Sequence, residues 1–174
     1  MAVELVKMVQ LPFATSSEWK SVDDVAERLH VALNRGDTYR RIVEANHPGT
    51  SSAEVQDAFR AAATELGFHS ERTGLFAESI TGLRPDYFLQ VGESGILLEV
   101  ERGKTTTNNM DLLDFWKCHI CVGAHYLFLL VPKALQHNAD MTPKKEFASV
   151  QRRLAPFFKP GNYTNVRGLA LFGY

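Results

Sequence analysis

The most informative part of the chain is residues 84–104, which read RPDYFLQVGESGILLEVERGK. Two runs of mainly aromatic and aliphatic residues, 87–91 and 96–101, flank the four residues Gly-Glu-Ser-Gly at 92–95. A short glycine-containing segment between two apolar runs is typical of a hairpin turn. The sequence therefore predicts a β-hairpin at this place.

The register of this hairpin follows from its loop. If residues 92–95 form the loop, Val91 faces Ile96 and Asp86 faces Glu101. One face of both strands is then apolar, and it carries Tyr87, Leu89, Val91, Ile96, Leu98 and Val100. The opposite face carries the carboxylates of Asp86, Glu99 and Glu101. Opposed Cβ atoms lie about 5 Å apart and diagonal ones about 7–8 Å, so we expect the three acids to converge.

Three converging carboxylates repel one another and need compensation. A hard divalent cation is the natural candidate, because oxygen ligands suit magnesium, manganese or calcium and not zinc. Such a site can activate water and clamp the oxygens of a displacement at phosphorus. The ordinary alternative is an exposed strand on which Glu99 and Glu101 pair with Arg84, Arg102 and Lys104.

Helical periodicity surrounds the hairpin. The first fifty residues look helical and form a layer of their own, followed by a helix, strands, a helix, a strand, a helix and a closing strand. The predicted helices are 22–34, 39–45, 52–66, 108–122 and 142–154, with Ser21 capping the first and Pro143 at the start of the last. The predicted strands beside the hairpin are 68–71, 75–80, 126–132 and 166–172. This order predicts an α/β protein with a mixed central sheet flanked by helices.

Pro85-Asp86 and Glu99-Val100-Glu101 resemble the motif of the PD-(D/E)xK nuclease superfamily, in which Pro-Asp begins one strand of a hairpin and acid-x-Lys lies on the next. The element order of residues 52–132 is also similar to that family's. The resemblance covers about half of the chain and implies a restriction-endonuclease-like αβββαβ core with an N-terminal helical layer. Glu101 occupies the position where the motif has lysine. Some restriction enzymes of the superfamily also have a glutamate there.

The resemblance implies roles for these residues. Asp86 and Glu99 would bind Mg²⁺ (or Mn²⁺), and Glu101 would be a further ligand or the base that orients the attacking water. Lys104 could swing back to take the lysine's role and stabilise charge at phosphorus. An additional upstream acid of the family is best matched by Glu71, with Glu54 and Glu78 as weaker matches.

Bulk composition sets the class of protein. With 174 residues, 45% hydrophobic and 22% charged, the chain suits one domain, with residues 1–50 as a helical layer and 51–174 as the catalytic core. Its first residues do not show the charged start and long apolar stretch typical of a signal peptide, and no apolar run approaches about 20 residues, so we expect a cytoplasmic protein without a membrane partner. A net charge of −1 gives no overall basic signature, so attraction to nucleic acid must come from a local patch.

The sequence thus predicts a Mg²⁺-dependent phosphodiesterase that hydrolyses DNA, an endonuclease. Its expected partner is double-stranded DNA, and a cutter of both strands at this size is expected to form a homodimer. Two alternatives remain: a binding module with the nuclease fold and no chemistry, since the motif lysine is missing, and a hydrolase of small phosphate esters.

Three smaller features complete the predictions. Cys118 and Cys121 are interpreted as buried hydrophobic residues rather than zinc ligands with His125. The hydroxyls, amides and helix-terminal N–H groups of residues 105–109 could hold a phosphate. The basic pairs 40–41, 144–145 and 152–153 could together follow a nucleic-acid backbone, although each alone suits a solvated face.

Overall fold

The computed structural model of the protein describes residues 2–47, 49–70, 84–103, 105–136 and 142–174. Within these ranges the helices are α1 (Ser17–Leu33), α2 (Gly36–Ala45), α3 (Ser52–Glu65), α4 (Met110–Ile120) and α5 (Glu146–Leu154). The strands are β1 (Glu4–Val9), β2 (His69–Ser70), β3 (Tyr87–Val91), β4 (Ser94–Val100), β5 (Tyr126–Val131) and β6 (Gly168–Gly173). The strand predicted at 75–80 lies outside the described residues.

The six strands form one mixed sheet in the order β1-β6-β5-β4-β3-β2. Strands β4, β5 and β6 are parallel to one another. Antiparallel pairing joins β1 to β6, β3 to β4 and β2 to β3. The predicted α/β class is confirmed, and the described elements from α3 to β5 follow the order α3-β2-β3-β4-α4-β5, which matches the predicted αβββαβ order. None of the helices in the described part combines the length and apolar character needed to cross a bilayer.

Helices cover both faces of the sheet, which explains why its central strands are apolar on both sides. In β5, Tyr126, Phe128 and Leu130 belong to the core under α1 and α3, whereas Leu127, Leu129 and Val131 belong to the core under α4 and α5. A strand buried on both faces reads as a continuous apolar run because successive side chains point to opposite faces.

The hairpin register differs from the prediction. Residues 92–93 alone form the loop, so Val91 pairs with Ser94 and Tyr87 with Leu98. Gly92 has a φ of 58°, a conformation that two-residue hairpin turns commonly require and that glycine adopts at little cost. The shift amounts to two residues, so every side chain keeps its predicted face. Its consequence is that Asp86, just before β3, continues the ladder opposite Glu99 instead of Glu101.

The N-terminal region is also different in part. A helical layer is present as predicted, but residues 4–9 form the edge strand β1, whose Leu5 pairs with Phe172 of β6. The first helix begins at Ser17, with the Ser16 side chain accepting a hydrogen bond from the Trp19 amide, rather than at a cap on Ser21. The last helix begins at Glu146, not Thr142, because the backbone of Lys144 is hydrogen-bonded to that of Leu135.

Candidate active site

Asp86 lies at the entrance of β3 and is held by both neighbouring elements. Its Oδ2 accepts a hydrogen bond from the Val100 amide of β4 (2.8 Å), which supplies the acceptor that a backbone partner would otherwise provide. Its Oδ1 accepts one from Nε2 of Gln56 on α3 (2.8 Å), and its own amide donates to Oε2 of Glu99 (3.1 Å). Two hydrogen bonds therefore orient this carboxylate, and a third joins the Asp86 backbone to Glu99.

Glu99 is the buried acid of β4, with only 2% of its surface exposed. Its Oε1 accepts a hydrogen bond from Nζ of Lys117 on α4 (2.9 Å). The same ammonium donates to Oδ1 of Asp114 (2.8 Å), one helical turn earlier and fully buried. Because α4 follows β4 and packs over the sheet, one lysine joins two acids from two elements.

Asp114 and Glu101 form the other half of the cluster. Asp114 Oδ2 is buried and has no hydrogen-bond donor among the described residues in their ionised forms. The neighbouring Glu101 carboxyl can donate to Asp114 only when it carries a proton, since an ionised carboxylate accepts and does not donate. The cluster therefore contains four carboxyls, those of Asp86, Glu99, Glu101 and Asp114, around one ammonium group.

The pKa values show the effect of this imbalance. Burial, reinforced by the charge of Asp114, raises the pKa of Glu101 to about 8. Burial and the neighbouring acids also raise the pKa of Glu99 well above its usual range, with Lys117 opposing, and burial raises that of Asp114. Burial alone would lower the pKa of Lys117, but the charges and hydrogen bonds of Glu99 and Asp114 outweigh burial and raise this pKa. At neutral pH the cluster thus holds fewer negative charges than carboxyl groups.

The donor set suits a hard divalent cation, because it consists of carboxylate oxygens and includes the unsatisfied Oδ2 of Asp114. The positions of these oxygens do not form a metal site. Among the described residues, no three acidic, histidine or cysteine side chains are arranged to share one metal ion. In this arrangement the Lys117 ammonium is the cation that Glu99 and Asp114 share.

Of the predicted site residues, the structure brings Asp86 and Glu99 into direct hydrogen-bonding contact. Glu101 lies in the same cluster against Asp114. Glu71, Glu78 and Lys104 lie outside the described residues. Glu54 is not at the site, since it closes a capping box with Ser51 at the start of α3.

The exposed-strand alternative is wrong. Every residue of β4 is buried, and Arg102 donates to the backbone oxygens of His47 and Thr50 rather than to the acids of the strand. The cation that neutralises Glu99 comes from α4 instead. An outward-facing strand would leave these carboxylates in water, where their pKa values would stay near the usual ones.

Three residues of the site were not predicted: Gln56, Asp114 and Lys117. A local signal existed for two of them, because Asp114 and Lys117 are three apart and so share a helix face. Both lie beside Phe115 and Cys118, which face the sheet. An acid and a lysine on the sheet-facing side of a helix are unusual, since buried charges occur mainly in pairs or at sites.

The two cysteines behave as predicted. Cys118 and Cys121 are buried in the apolar core under α4, with free thiols. His125 Nδ1 lies 2.7 Å from the Ser94 hydroxyl at the opposite end of β4.

Comparisons with known proteins give a likeness in structure but none in sequence. No protein-family model matches the chain, and no curated protein matches it by sequence. The crystal structure of the restriction endonuclease BglII in complex with a DNA 16-mer is similar with a TM-score of 0.45 and 9% sequence identity. The match covers 99% of this chain and 78% of that one.

Proposed function

We propose that the protein is a divalent-metal-dependent phosphodiesterase that cleaves DNA, an endonuclease, with its active site at the cluster of Asp86, Glu99, Glu101 and Lys117. One observation carries this proposal: four carboxyls from β3, β4 and α4 share a buried volume with a single lysine. A cluster with this excess of acid destabilises the fold unless it gains a further cation. Because the cluster does not contribute to stability, a functional role accounts for it better than a structural one.

Asp86 and Glu99 would hold Mg²⁺ or Mn²⁺, since Glu99 Oε2 accepts from the Asp86 amide and Asp86 Oδ2 accepts from the amide of Val100, the residue after Glu99. A bound ion would activate water and neutralise charge on the phosphate. Binding requires at least one of these oxygens to exchange a present hydrogen bond for the ion. The Glu99 oxygen bound to Lys117 is suited to this exchange, because the ammonium keeps Asp114 as a second partner.

Glu101 and Lys117 supply the remaining chemistry. A carboxyl whose pKa lies near 8 can accept a proton from an attacking water and release it again near physiological pH. The Lys117 ammonium would stabilise the negative charge that develops at phosphorus. Asp114 acts as a positioning residue, because its 2.8 Å contact directs Lys117 toward β4. Lys117 thereby takes the place of the lysine that the strand motif lacks at position 101.

The direct test is incubation of the protein with plasmid and linear DNA in Mg²⁺ or Mn²⁺. We expect metal-dependent cleavage that falls by about 10³-fold in Asp86→Ala and in Glu99→Ala, within the range for loss of catalytic groups. Glu93→Ala is the matched control, because Glu93 is an exposed acid in the turn of the same hairpin. No cleavage at any metal concentration, or cleavage that persists in both site variants, contradicts the proposal.

A second candidate function is a DNA-binding module with this architecture and no chemistry. It is favoured by a specific observation: hydrogen bonds within the protein already satisfy both side-chain oxygens of Asp86 and of Glu99. Isothermal titration with Mn²⁺ separates the two candidates. A binding heat that disappears in Asp86→Ala supports the phosphodiesterase, whereas an absence of binding heat supports the module.

A further inference from the structure

An open depression of about 530 Å³ lies between the loop that follows β4 and helix α5. Polar and basic side chains line it: Thr106, Thr107, Lys144, Ser149, Arg152 and Arg153. The structure thus brings together residues from two of the three basic pairs and the threonine loop, which lie about forty positions apart in the sequence.

The cations of this depression differ in how far they are neutralised. Arg153 binds the buried carboxylate of Asp111 through Nε (2.7 Å) and also donates to Asn109 (2.6 Å), so its charge is balanced. Within the described ranges, neither Lys144 nor Arg152 forms an ion pair. Lys144 Nζ donates to the Thr107 hydroxyl (3.1 Å), and Arg152 reaches the Ser149 hydroxyl (3.5 Å).

One anion lies beneath the depression. The buried carboxylate of Glu146 accepts a hydrogen bond from the Thr106 amide (3.3 Å) in the first turn of α5, where the helix dipole favours negative charge. This contact holds the threonine loop against α5. Two exposed cations and the hydroxyl groups of Thr106 and Thr107 remain as donors, whereas the Ser149 hydroxyl donates to the Lys145 carbonyl (2.9 Å). Cations and hydroxyl groups are donors that proteins use for phosphate oxygens.

The depression adjoins the acid cluster through two connections. Asp111, the partner of Arg153, precedes Asp114 by one helical turn, a distance of about 4.5 Å along the axis of α4. The threonine loop also follows Glu101 by only a few residues. Through Arg153 and the threonine loop, the depression is thus connected to α4 and to the end of β4, the two elements that carry the acid cluster.

We propose that this depression binds a backbone phosphate of the DNA strand next to the one at the acid cluster, with Lys144 and Arg152 as its charged contacts. This inference rests on the proposed function for its ligand. It locates, on a chain with a net charge of −1, the local basic site that DNA binding requires.

The test is the salt dependence of binding to a fluorescently labelled DNA duplex, measured by anisotropy in EDTA so that metal-dependent cleavage does not interfere. Each phosphate contact contributes about 0.9 to the slope of log K against log salt concentration between about 50 and 200 mM. We expect the double variant Lys144→Ala/Arg152→Ala to bind more weakly and to lower the steepness of the slope by about two.

Two controls separate local charge from other effects. The variant Lys20→Ala/Arg28→Ala removes the same charge from exposed positions of α1, on the other side of the sheet, and we expect it to leave the slope unchanged. The exchange Lys144→Arg/Arg152→Lys keeps both charges, and we expect it to restore the slope. Circular dichroism of each variant verifies that the fold is intact.

The outcomes distinguish this inference from the phosphodiesterase proposal. A reduced slope confined to the alanine variant of the depression supports the inference, even if the protein cuts no DNA. Equal slopes for both alanine variants, or an absence of DNA binding by the unmodified protein, overturn the inference. Metal-dependent cleavage with equal slopes would leave the phosphodiesterase standing and remove the phosphate site.

Discussion

The two ends of the parallel strands carry polar clusters of opposite character. At the carboxyl end of β4, four carboxyls surround one ammonium group. At the amino ends of β5 and β6, a single carboxylate, Glu18 of α1, accepts hydrogen bonds from the Tyr126 hydroxyl (2.6 Å) and from Arg167 (2.7 Å). The first cluster has an excess of acid, whereas the second pairs one anion with one cation and one hydroxyl.

The pKa values of the acids differ accordingly. Burial raises the pKa of Glu18, but the hydrogen bonds from Tyr126 and Arg167 outweigh burial and leave the pKa below its usual value. Burial and neighbouring acids raise the pKa values of Glu99, Glu101 and Asp114 instead. In a balanced cluster, ionisation of the acid stabilises the fold. In an acid-rich cluster, ionisation lowers the free energy of unfolding, and a bound cation can restore it. This contrast separates a structural polar cluster from a candidate active site.

The largest expected effect comes from removing the ammonium of the acid-rich cluster. Lys117→Met leaves Glu99 and Asp114 buried without their cation, and we expect a loss of about 3 kcal/mol in the free energy of unfolding at pH 8, as for broken buried ion pairs. Cleavage of DNA should fall by at least about 100-fold. Urea denaturation and the plasmid assay measure both quantities.

Lys133→Met is the matched control for this variant, because Lys133 is equally shielded but pairs with the exposed Glu4. We expect it to change the stability by no more than about 1 kcal/mol. At pH 5 the acids near Lys117 take up protons, so the Lys117→Met loss should shrink. A loss that is equal at pH 5 and pH 8 would contradict the electrostatic account.

The second effect is an unusual dependence of stability on pH. The folded-state pKa of Glu101 is about 8, above its unfolded value of about 4.5, so the folded state binds more protons between these pH values. Its stabilising contribution is present below pH 4.5 and is lost as the pH rises through 8. We expect Glu101→Gln to flatten the fall in stability between pH 5 and 8, and the melting temperature at pH 8 to rise by about 2–4 °C per kcal/mol regained. Equal slopes for variant and unmodified protein would contradict this prediction.

The balanced cluster should respond in the opposite direction. Arg167→Met removes the cation beside Glu18 and its contact with the Phe13 ring, and we expect a loss of about 1–2 kcal/mol with DNA cleavage unchanged. Because the pKa of Glu18 is lowered, its contribution is present above the unfolded value and is lost as the pH falls through the folded one. Acid titration monitored by circular dichroism should therefore show a smaller loss of stability at low pH in the variant. A cleavage defect in Arg167→Met would show that the two ends are not separate.

The smallest expected effect concerns Gln56, which orients Asp86 from α3 without joining the charged cluster. Gln56→Ala should lower kcat about tenfold, roughly the value of one positioning hydrogen bond, with stability changed by less than about 1 kcal/mol. Gln56→Asn, which keeps an amide on a shorter side chain, is the comparison variant. An unchanged kcat in Gln56→Ala would mean that Val100 alone suffices to orient Asp86.

Local sequence patterns predicted several parts of the structure closely. Strand β3 occupies the predicted residues 87–91, and β5 differs from its prediction by one residue. Helix α3 begins at residue 52 as predicted, and at its N-cap Ser51 and Glu54 satisfy each other's backbone amides. These features depend on residues within four positions of one another, and side-chain periodicity reports such neighbours directly.

The hairpin shows how far such patterns extend. Turn composition alone suggested a four-residue loop, but a two-residue turn at 92–93 is what forms. The predicted faces survived because a shift by two residues preserves the alternation of side chains. The predicted partner of Asp86, Glu101, was wrong, because the residue opposite Asp86 depends on the register itself. Placement of Asp86 beside Glu99 is thus a result of the folded hairpin.

Long-range contacts account for the features that the sequence did not predict. Strand β1 pairs with β6, which lies at the other end of the chain, and β1 has no clear alternation of buried and exposed positions. Lys117 meets Glu99 across 18 residues because α4 crosses over the sheet between β4 and β5. The periodicity of hydrophobic residues along the sequence does not predict either contact.

By itself, the sequence determined the α/β class, the two faces of the hairpin and the placement of Asp86, Glu99 and Glu101 on one of them, because alternation and turn chemistry act over a few residues. Only the tertiary structure decided that Asp114 and Lys117 join those acids and that Lys144 and Arg152 meet the threonine loop. These long-range contacts depend on how α4 and α5 pack against the sheet, and this packing is determined by the whole chain.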